Sequence, residues 1–280
     1  MKYFYNFIEN GYIYSIDMIR VRTLVSQLEA KEIRKFLNER LFNHWYGYGY
    51  DKFCDNWKID KLWLGLGTKA KANKDDAMNI NDEIIFCMEF NPNKMTELDI
   101  TVYNYFINQF PFVVKRFDLA VDIPLNINNI VFSDIYKKSF SLFYNDYNNK
   151  TYYIGKGDGH IKIYNKKIES DLDYELTRFE VTKECDILLN DGKEDYKHYT
   201  DIDFKFPYLA TTPFSTKSIE DDETLDAVLF AVNNGFPYKK LSRRYKSKIG
   251  RELVGLSDLN NISANICLGN VLNLIRFRHI

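Results

Sequence analysis

The chain has 280 residues, and its 38 Lys and Arg nearly balance its 39 Asp and Glu, which gives a formal net charge of −1. This length suits one large domain or two modest ones, and the 45% of hydrophobic residues excludes wholesale disorder. A near-neutral charge argues against a polycation that coats nucleic acid, but a local basic patch remains compatible with it. The 21 Phe and 21 Tyr favour β-rich structure and supply many rings for stacking.

The cysteines and the N-terminal residues indicate the compartment. The four cysteines are widely spaced and form no CxxC pair, which favours free thiols in a reducing cytoplasm over a disulfide scaffold or a zinc ribbon. Asn6 and Glu9 interrupt the first apolar run, so this run does not resemble a signal peptide. No apolar stretch approaches the ~20 residues of a membrane span. We therefore expect a cytoplasmic protein with no membrane partner.

The first elements in chain order are a strand at residues 11–21 and an amphipathic helix at 24–42. The stretch 43–78 shows no clear periodicity. Residues 83–90 predict a strand that ends in a turn at 91–94, and Thr96 with Asp99 predicts the start of a helix. The apolar stripes that we expect on these two helices are Leu24, Leu28, Phe36 or Leu37, and Leu41 on the first, and Leu98, Val102 and Phe106 on the second.

The next predicted element is a strand at residues 113–123, which alternate strictly near their end. A helix at 133–144, a hairpin of 151–154 with 161–167, and a strand at 178–183 follow, and a further helix is predicted at 223–233. Strands and helices are thus interspersed. We predict an α+β fold built on an antiparallel sheet, either single or duplicated, with helices on one face and a small helical, basic C-terminal region.

Several familiar catalytic motifs are missing from the sequence. It contains no GxxxxGK[ST] phosphate loop, no HExxH pair and no GxSxG elbow. The glycines at 155, 157 and 159 precede a predicted strand rather than a helix, so they indicate a hairpin turn.

Polar residues recur instead on the faces of the predicted strands that point away from the core. Such a face suits phosphodiester cleavage, because carboxylates can hold Mg²⁺ or Mn²⁺ and a tyrosine can attack phosphorus. Neighbouring lysines would favour the phenolate of that tyrosine. The alternative is the polar outer face of any half-solvated sheet. Period-2 geometry groups Asp118 with Asp122, Lys162 with Tyr164 and Lys166, and Arg178 with Glu180, and it places Glu89 opposite Met88 and Phe90.

Four sequence blocks resemble the replication initiation factor (Rep_trans) family, the initiators of rolling-circle plasmids of staphylococci and their relatives. The blocks follow the order and similar separations of that family and cover about residues 85–185, with a weaker likeness at 241–248. The blocks are Glu89-Phe-Asn-Pro-Asn-Lys-Met-Thr, Arg116-Phe-Asp-Leu-Ala-Val-Asp, Tyr153-Ile-Gly with Ile161-Lys-Ile-Tyr-Asn-Lys-Lys and Glu169, and Arg178-Phe-Glu-Val.

This resemblance implies an enzyme that nicks and later closes one strand at its plasmid origin. Tyr164 would attack the strand and keep its 5′-phosphate, and the free 3′-OH would prime replication while a host helicase unwinds the duplex. Lys166 and Lys167 would lie against the phosphate, and Arg178 would do the same or orient Glu180. The family's metal ligands map onto Glu89, Asp118 and Glu180, with Asp122 as an additional ligand of Mg²⁺ or Mn²⁺.

The C-terminal region carries the predicted DNA contacts. We expect a catalytic domain at 1–200 and a DNA-recognition or dimer region at 201–280, in which the apolar tail 262–280 would dock or form a homodimer contact. A basic run can neutralise several phosphates of origin DNA. The predicted DNA-binding residues are Lys162, Lys239, Lys240, Arg243, Arg244, Lys246, Lys248 and Arg251.

Other interpretations stay open at this point. A conjugative relaxase resembles the same family, although such proteins often carry an N-terminal helix-turn-helix domain for which we see no room before residue 85. A catalytically silent DNA-binding regulator would need none of the polar groups named above. At the level of single residues, Glu89 could cap the turn that follows it, and Asp118 or Asp122 could pair with Lys115 or Arg116.

Overall fold

A computed structural model of the chain describes residues 6–9, 12–40, 42–46, 53, 55–68, 84–127, 140–144, 150–189, 201–202, 227–228, 231, 240–247 and 264–265. Eleven strands form one antiparallel sheet, and two short strands form a separate pair. The sheet strands are β1 (Asn6–Glu9), β2 (Tyr12–Val25), β3 (Asn43–Tyr46), β4 (Asp55–Lys58), β5 (Leu62–Thr68), β6 (Ile84–Phe90), β7 (Val113–Ile123), β8 (Phe140–Tyr144), β9 (Lys150–Ile154), β10 (Ile161–Asn165) and β11 (Thr177–Leu188). The remaining elements are α1 (Gln27–Glu39), α2 (Glu97–Ile107), α3 (Lys166–Ser170), β12 (Asp201–Ile202) and β13 (Ala264–Asn265).

The strand order shows two halves with the same arrangement. The order is β3-β4-β5-β6-β2-β7-β11-β10-β9-β8, with β1 paired to β2. In each half the first strand, β2 or β7, lies at the centre, the last strand lies beside it, and the earlier ones follow outward. The central strands β2 and β7 are antiparallel, so a two-fold axis through the middle of their pairing relates the halves. The sheet therefore has the topology of a duplicated unit.

One face of the sheet carries the hydrophobic core. Alternate residues of β7, namely Phe117, Leu119 and Val121, point into this core, as the sequence predicts. Helices α1 and α2 bury their apolar sides in the same core, and Phe106 of α2 packs edge-on against Phe86 of β6, with ring centroids 4.8 Å apart. Each fully buried ring of this kind contributes roughly 1.5–3 kcal/mol to folding. The opposite face is left to the polar residues.

Helix α2 begins where the sequence predicts, and its cap also fixes a neighbouring loop. Thr96 is the N-cap, and its side chain and that of Asp99 form a capping box. The carboxylate of Asp99 is fully buried and also accepts hydrogen bonds from the backbone N–H groups of Lys61 and Leu62, at 3.1 Å each. One side chain therefore joins the start of α2 to the turn between β4 and β5.

Two sequence predictions are wrong in detail, and a stretch for which the sequence gives no prediction forms strands. The structure has strand β8 at 140–144, within the predicted helix 133–144, while 128–139 lie outside the described residues. The buried stripe of α1 is Ala30, Ile33 and Leu37, whereas Leu28 is exposed and Leu24 belongs to β2. The unassigned stretch 43–78 supplies β3, β4 and β5. The short aromatic strands there lack a clean alternation because most of their side chains are at least partly buried.

In the part of the chain that the structure describes, no helix has both the length and the apolar character needed to cross a membrane.

Replacing the Asp99 carboxylate tests the role of this cap. We expect Asp99→Ala to lower the free energy of unfolding by about 3 kcal/mol, because it leaves several buried N–H groups without an acceptor. Ser26→Ala removes the exposed capping box of α1 and should cost about 1 kcal/mol. Chemical denaturation of both variants measures the difference, and equal losses would contradict the bridging role of Asp99.

Candidate active site

The pairing of β10, β11 and β7 brings five of the predicted site residues together. Tyr164 lies opposite Arg178, and Arg178 lies opposite Asp122 on β7. In the neighbouring row, Lys162 lies opposite Glu180. Because alternate side chains share a face, all five residues lie on the polar side of the sheet. The sequence blocks at 116–122, 161–167 and 178–181 therefore meet in one place.

The tyrosine and the glutamate of this cluster form a direct contact. The Tyr164 hydroxyl donates a hydrogen bond to Oε1 of Glu180, with an O···O distance of 2.6 Å. The ammonium of Lys162 lies 3.5 Å from Oε2 of the same carboxylate and 4.1 Å from the centroid of the tyrosine ring. Both Tyr164 and Glu180 are buried, while Lys162 is partly exposed. The lysine side chain thus covers the tyrosine on the solvent side.

The electrostatics of this pair differ from the sequence expectation. Burial, followed by the charge of Glu180, raises the pKa of Tyr164 far above its usual value. The predicted stabilisation of a phenolate by neighbouring lysines is therefore wrong for the resting site. Burial also raises the pKa of Glu180, although Lys162 opposes this shift. The site holds a neutral phenol next to a carboxylate of increased proton affinity.

Arg178 is committed to two carboxylates. Its Nε and Nη2 atoms each donate to one oxygen of Asp122 at 2.6 Å, and its Nη1 atom donates to Asp17 at 2.7 Å. Burial opposes the charge of the guanidinium, but these carboxylates outweigh it and raise the pKa of Arg178 above its usual value. Removing one partner of such a buried pair costs about 3–5 kcal/mol. Arg178 therefore ties β11 to β7 and β2 within the site.

Asp17 is a site residue that the sequence analysis does not identify. The register of β2 against β7 shifts between Ile16 and Met18, and Asp17 is the additional residue of this bulge. The side-chain amide of Asn91 donates to Asp17 at 2.8 Å, so the turn after β6 also holds it. The sequence carries a signal of the bulge, because the buried hydrophobic positions of β2 change from even to odd numbers. They are Tyr14 and Ile16 before Asp17, and Ile19, Val21 and Val25 after it.

The four predicted metal ligands do not form one site. Glu89 accepts a hydrogen bond from Arg20 on β2 at 2.7 Å, and three inter-strand spacings of ~4.8 Å place it roughly 14 Å or more from Glu180. Asp118 pairs with Arg116 at 3.1 Å and accepts from Thr182 at 2.8 Å. The described residues contain no group of three acidic, histidine or cysteine side chains positioned to hold an ion. The residues present thus do not fit the predicted metal centre as a set.

Lys166 and Lys167 also have carboxylate partners. Lys166 pairs with Glu169 within α3 and lies 5.7 Å from the Tyr164 ring centroid, and Lys167 pairs with Glu175 at 2.6 Å. Asn165 caps α3 by accepting a hydrogen bond from the N–H of Ile168, so α3 begins directly after the tyrosine strand. The predicted contact of both lysines with a phosphate stays a prediction.

Part of the predicted DNA-binding segment is described. Residues 243–247 are helical, and the N–H of Lys246 donates to the carbonyl of Ser242 at 3.0 Å. Lys240, Arg243 and Arg244 are exposed. Lys239, Lys248 and Arg251 lie outside the described residues, as does most of the predicted tail at 262–280.

Comparisons with known proteins assign no family to the chain. No protein-family model matches the chain, and no match to curated proteins was found. A comparison with solved structures matches the structure of a rolling circle replication initiator protein from Geobacillus stearothermophilus, with 14% identity and a TM-score of 0.39. The match covers 90% of this chain and 100% of that chain. A similarity at this level supports no conclusion about the family or the function of this chain.

The raised pKa of Glu180 predicts a pH-dependent stability. Because the folded protein holds this proton more tightly than the unfolded chain does, stability falls as the pH rises from about 4.5 through the raised pKa, and then stays lower. Glu180→Gln keeps an acceptor for the tyrosine but cannot ionise. The melting temperature of this variant minus that of the wild type should therefore increase with pH between about 4 and 8.

The control for this prediction is Glu184→Gln, which changes an exposed glutamate of the same strand. Thermal unfolding at several pH values should show no such trend for the control. A difference between Glu180→Gln and wild type that stays constant with pH would contradict the shifted pKa.

Proposed function

We propose that the protein is a site-specific DNA nicking and closing enzyme that initiates rolling-circle replication of a plasmid. The observation that carries this proposal is the hydrogen bond from the Tyr164 hydroxyl to Glu180. A tyrosine nucleophile needs a group that accepts its proton, and this pair has the required geometry without any rearrangement. The likeness of the surrounding sequence blocks to plasmid initiators supplies the substrate class.

The chemistry follows from this contact. As the phenolic oxygen of Tyr164 bonds to phosphorus, Glu180 accepts its proton, which avoids a free phenolate. The bond from phosphorus to the 3′-oxygen breaks, the protein keeps the 5′-phosphate as a tyrosine ester, and the departing oxygen takes a proton from water. The reverse reaction closes the strand, with a 3′-OH as nucleophile and Glu180 returning the proton to the tyrosine. Since the ester is similar in energy to the bond broken, closure needs no ATP.

The raised pKa of Glu180 supports its role as the base. A carboxylate with an ordinary pKa is a weak base at neutral pH, and burial increases its proton affinity. Lys162 lies over the tyrosine ring and must move aside for a phosphate to reach the hydroxyl. The negative charge of that phosphate attracts the ammonium, so DNA binding itself favours the opening of the site.

The divalent ion that the resemblance implies has no assembled set of ligands among the described residues. The predicted ligands are separated or paired with arginines, and no step above passes through a metal ion. The requirement for Mg²⁺ or Mn²⁺ stays a prediction, and nicking in the presence and absence of EDTA measures it.

Origin recognition completes the proposal. We assign it to the region 201–280, supported by the exposed Arg243 and Arg244 on a helical segment. A host helicase would unwind the duplex from the nick, a homodimer would bind the origin, and the protein would act in the cytoplasm, where plasmids replicate. A conjugative relaxase would use the same chemistry at an origin of transfer.

The nucleophile is tested on supercoiled plasmid that carries the protein's own origin. We expect Tyr164→Phe to abolish nicking and the covalent protein–DNA adduct while DNA binding is kept, because the variant lacks nothing but the hydroxyl. Glu180→Gln should slow nicking by about 10²–10⁴-fold through loss of the base. Gel analysis of nicked circles and of protein bound to 5′ ends measures both.

Tyr153→Phe is the matched control, because it removes a hydroxyl from the neighbouring strand β9 on the same face. Nicking that survives in Tyr164→Phe would contradict the assignment of the nucleophile. Specific binding without cleavage of any DNA by the wild type would favour the silent regulator.

The basic helical segment is tested by its salt dependence. Replacing Arg243, Arg244 and Lys246 together with alanine should weaken origin binding and reduce the slope of log affinity against log salt by about 2–3, because each phosphate that is no longer neutralised lowers the slope by about one unit. Electrophoretic mobility shifts at several salt concentrations give this slope. An unchanged slope would place the DNA-binding surface elsewhere.

A further inference from the structure

The two-fold relation between the halves gives the Tyr164 site a counterpart in the first half. The first residue pair of β2 and β7 is Ile13 with Asp122, and the last is Arg22 with Val113. The axis superposes the first pair on the last, so that Asp122 of β7 corresponds to Arg22 of β2. Residues that pair across neighbouring strands form rows that run outward from the centre of the sheet. In the row of Asp122, Tyr164 lies two strands from β7, opposite Arg178. Its counterpart two strands from β2 is Gly65 of β5, opposite Cys87 of β6. The first half has therefore no nucleophile at this position.

An aromatic side chain takes the place of the nucleophile. Trp63 is the counterpart of Lys162, and its six-membered ring lies so close over Gly65 that a Cβ there would be 2.6 Å from Cη2. Only glycine allows the indole to lie this low on the strand. Phe53 packs edge-on against the indole, with ring centroids 5.3 Å apart, and is buried, whereas Trp63 is partly exposed. The result is an indole lying on the polar face of the sheet.

Cations outnumber carboxylates around this indole. Among the described residues of β4, β5, β6 and the adjoining part of β2, the cations Arg20, Arg22 and Lys58 share the polar face with one carboxylate, Glu89. In the second half, Asp17, Asp122 and Glu180 lie beside the tyrosine together with Arg178 and Lys162, so the charges there nearly balance. A phosphodiester chain that crosses the sheet is therefore attracted more strongly to the first half than to the surroundings of the tyrosine.

We propose that the polar face of the first half binds unpaired nucleotides of the DNA strand that flanks the nick, with one base stacked on Trp63 and the adjacent phosphates near Arg20 and Arg22. This inference rests on the proposed nicking function and extends it. Indole rings and arginines bind single strands without sequence preference. Every base has a face that can stack on a ring, and every nucleotide carries a phosphate that a cation can neutralise. The same polar face continues across β2 and β7 to Tyr164.

The test uses the full-length protein carrying Tyr164→Phe, so that cleavage does not interfere, and a fluorescent 20-nucleotide oligothymidine. Trp63→Ala should weaken binding of this strand by roughly tenfold, whereas Trp63→Phe should keep most of it because a ring remains. Tyr105→Ala is the control, since it removes an exposed ring from α2 on the opposite side of the sheet. Affinity for a 20-base-pair duplex should change little in all three.

Unchanged oligothymidine affinity in a folded Trp63→Ala variant would overturn the inference, and so would equal losses for single-stranded and duplex DNA. If Trp63→Ala does not fold, photocrosslinking of wild-type protein to an oligonucleotide with 5-iodouracil decides the question. Crosslinks at Trp63 support the site, and crosslinks confined to other regions overturn it. Single-strand binding that depends on Trp63 in a protein that nicks no DNA would contradict the proposed function and leave this site standing.

Discussion

The buried guanidinium of Arg178 is the interaction on which the polar side of this structure depends. It binds Asp122 through two hydrogen bonds and Asp17 through a third, and so joins β11, β7 and β2 across the boundary between the two halves of the sheet. A charge in this position is tolerated only because its donors are matched by carboxylates, and losing one of them would leave an uncompensated ion. The same contacts fix the strand that carries Glu180, and Glu180 in turn holds the hydroxyl of Tyr164. The position of the Tyr164–Glu180 pair therefore depends on this structural ion pair.

The duplication of the sheet explains why the acidic residues of the sequence blocks that resemble the Rep_trans family do not form one cluster. Glu89 and Glu180 occupy equivalent positions of the two halves, each on the last strand of its unit and each next to the central strand. The two residues lie on opposite sides of the two-fold axis. A resemblance that assigns both to one metal centre therefore combines residues from two separate, symmetry-related positions. The halves have diverged in chemistry, since one presents a tyrosine hydrogen-bonded to a carboxylate and the other an indole near two arginines. We infer that this asymmetry divides the handling of DNA between cleavage in one half and retention of the strand in the other.

Much of this arrangement can be predicted from the sequence, and the failures have physical causes. The alternation of 113–123 predicts β7 and its two faces, and Thr96 with Asp99 predicts the start of α2, because both patterns depend on local geometry. The grouping of Tyr164, Arg178, Glu180 and Asp122 follows from period-2 geometry once the strands are adjacent. A prediction that gives β2 one uninterrupted alternation misses Asp17, because the bulge at this residue exchanges the faces of the later side chains. The sequence predicts the pKa shift of Tyr164 in the wrong direction, since it shows neighbouring lysines but not the burial that outweighs them.

The proposed nucleophile is tested by identifying which tyrosine becomes attached to DNA, because the chain contains 21 of them. The wild-type protein is incubated with an oligonucleotide that contains its nick site, the adduct is digested with trypsin and nuclease, and the modified peptide is sequenced by mass spectrometry. We expect a 5′-nucleotide on Tyr164, and a reduced yield of the same peptide from Glu180→Gln. A nucleotide on any other tyrosine, or cleavage that leaves no protein adduct, would contradict this assignment.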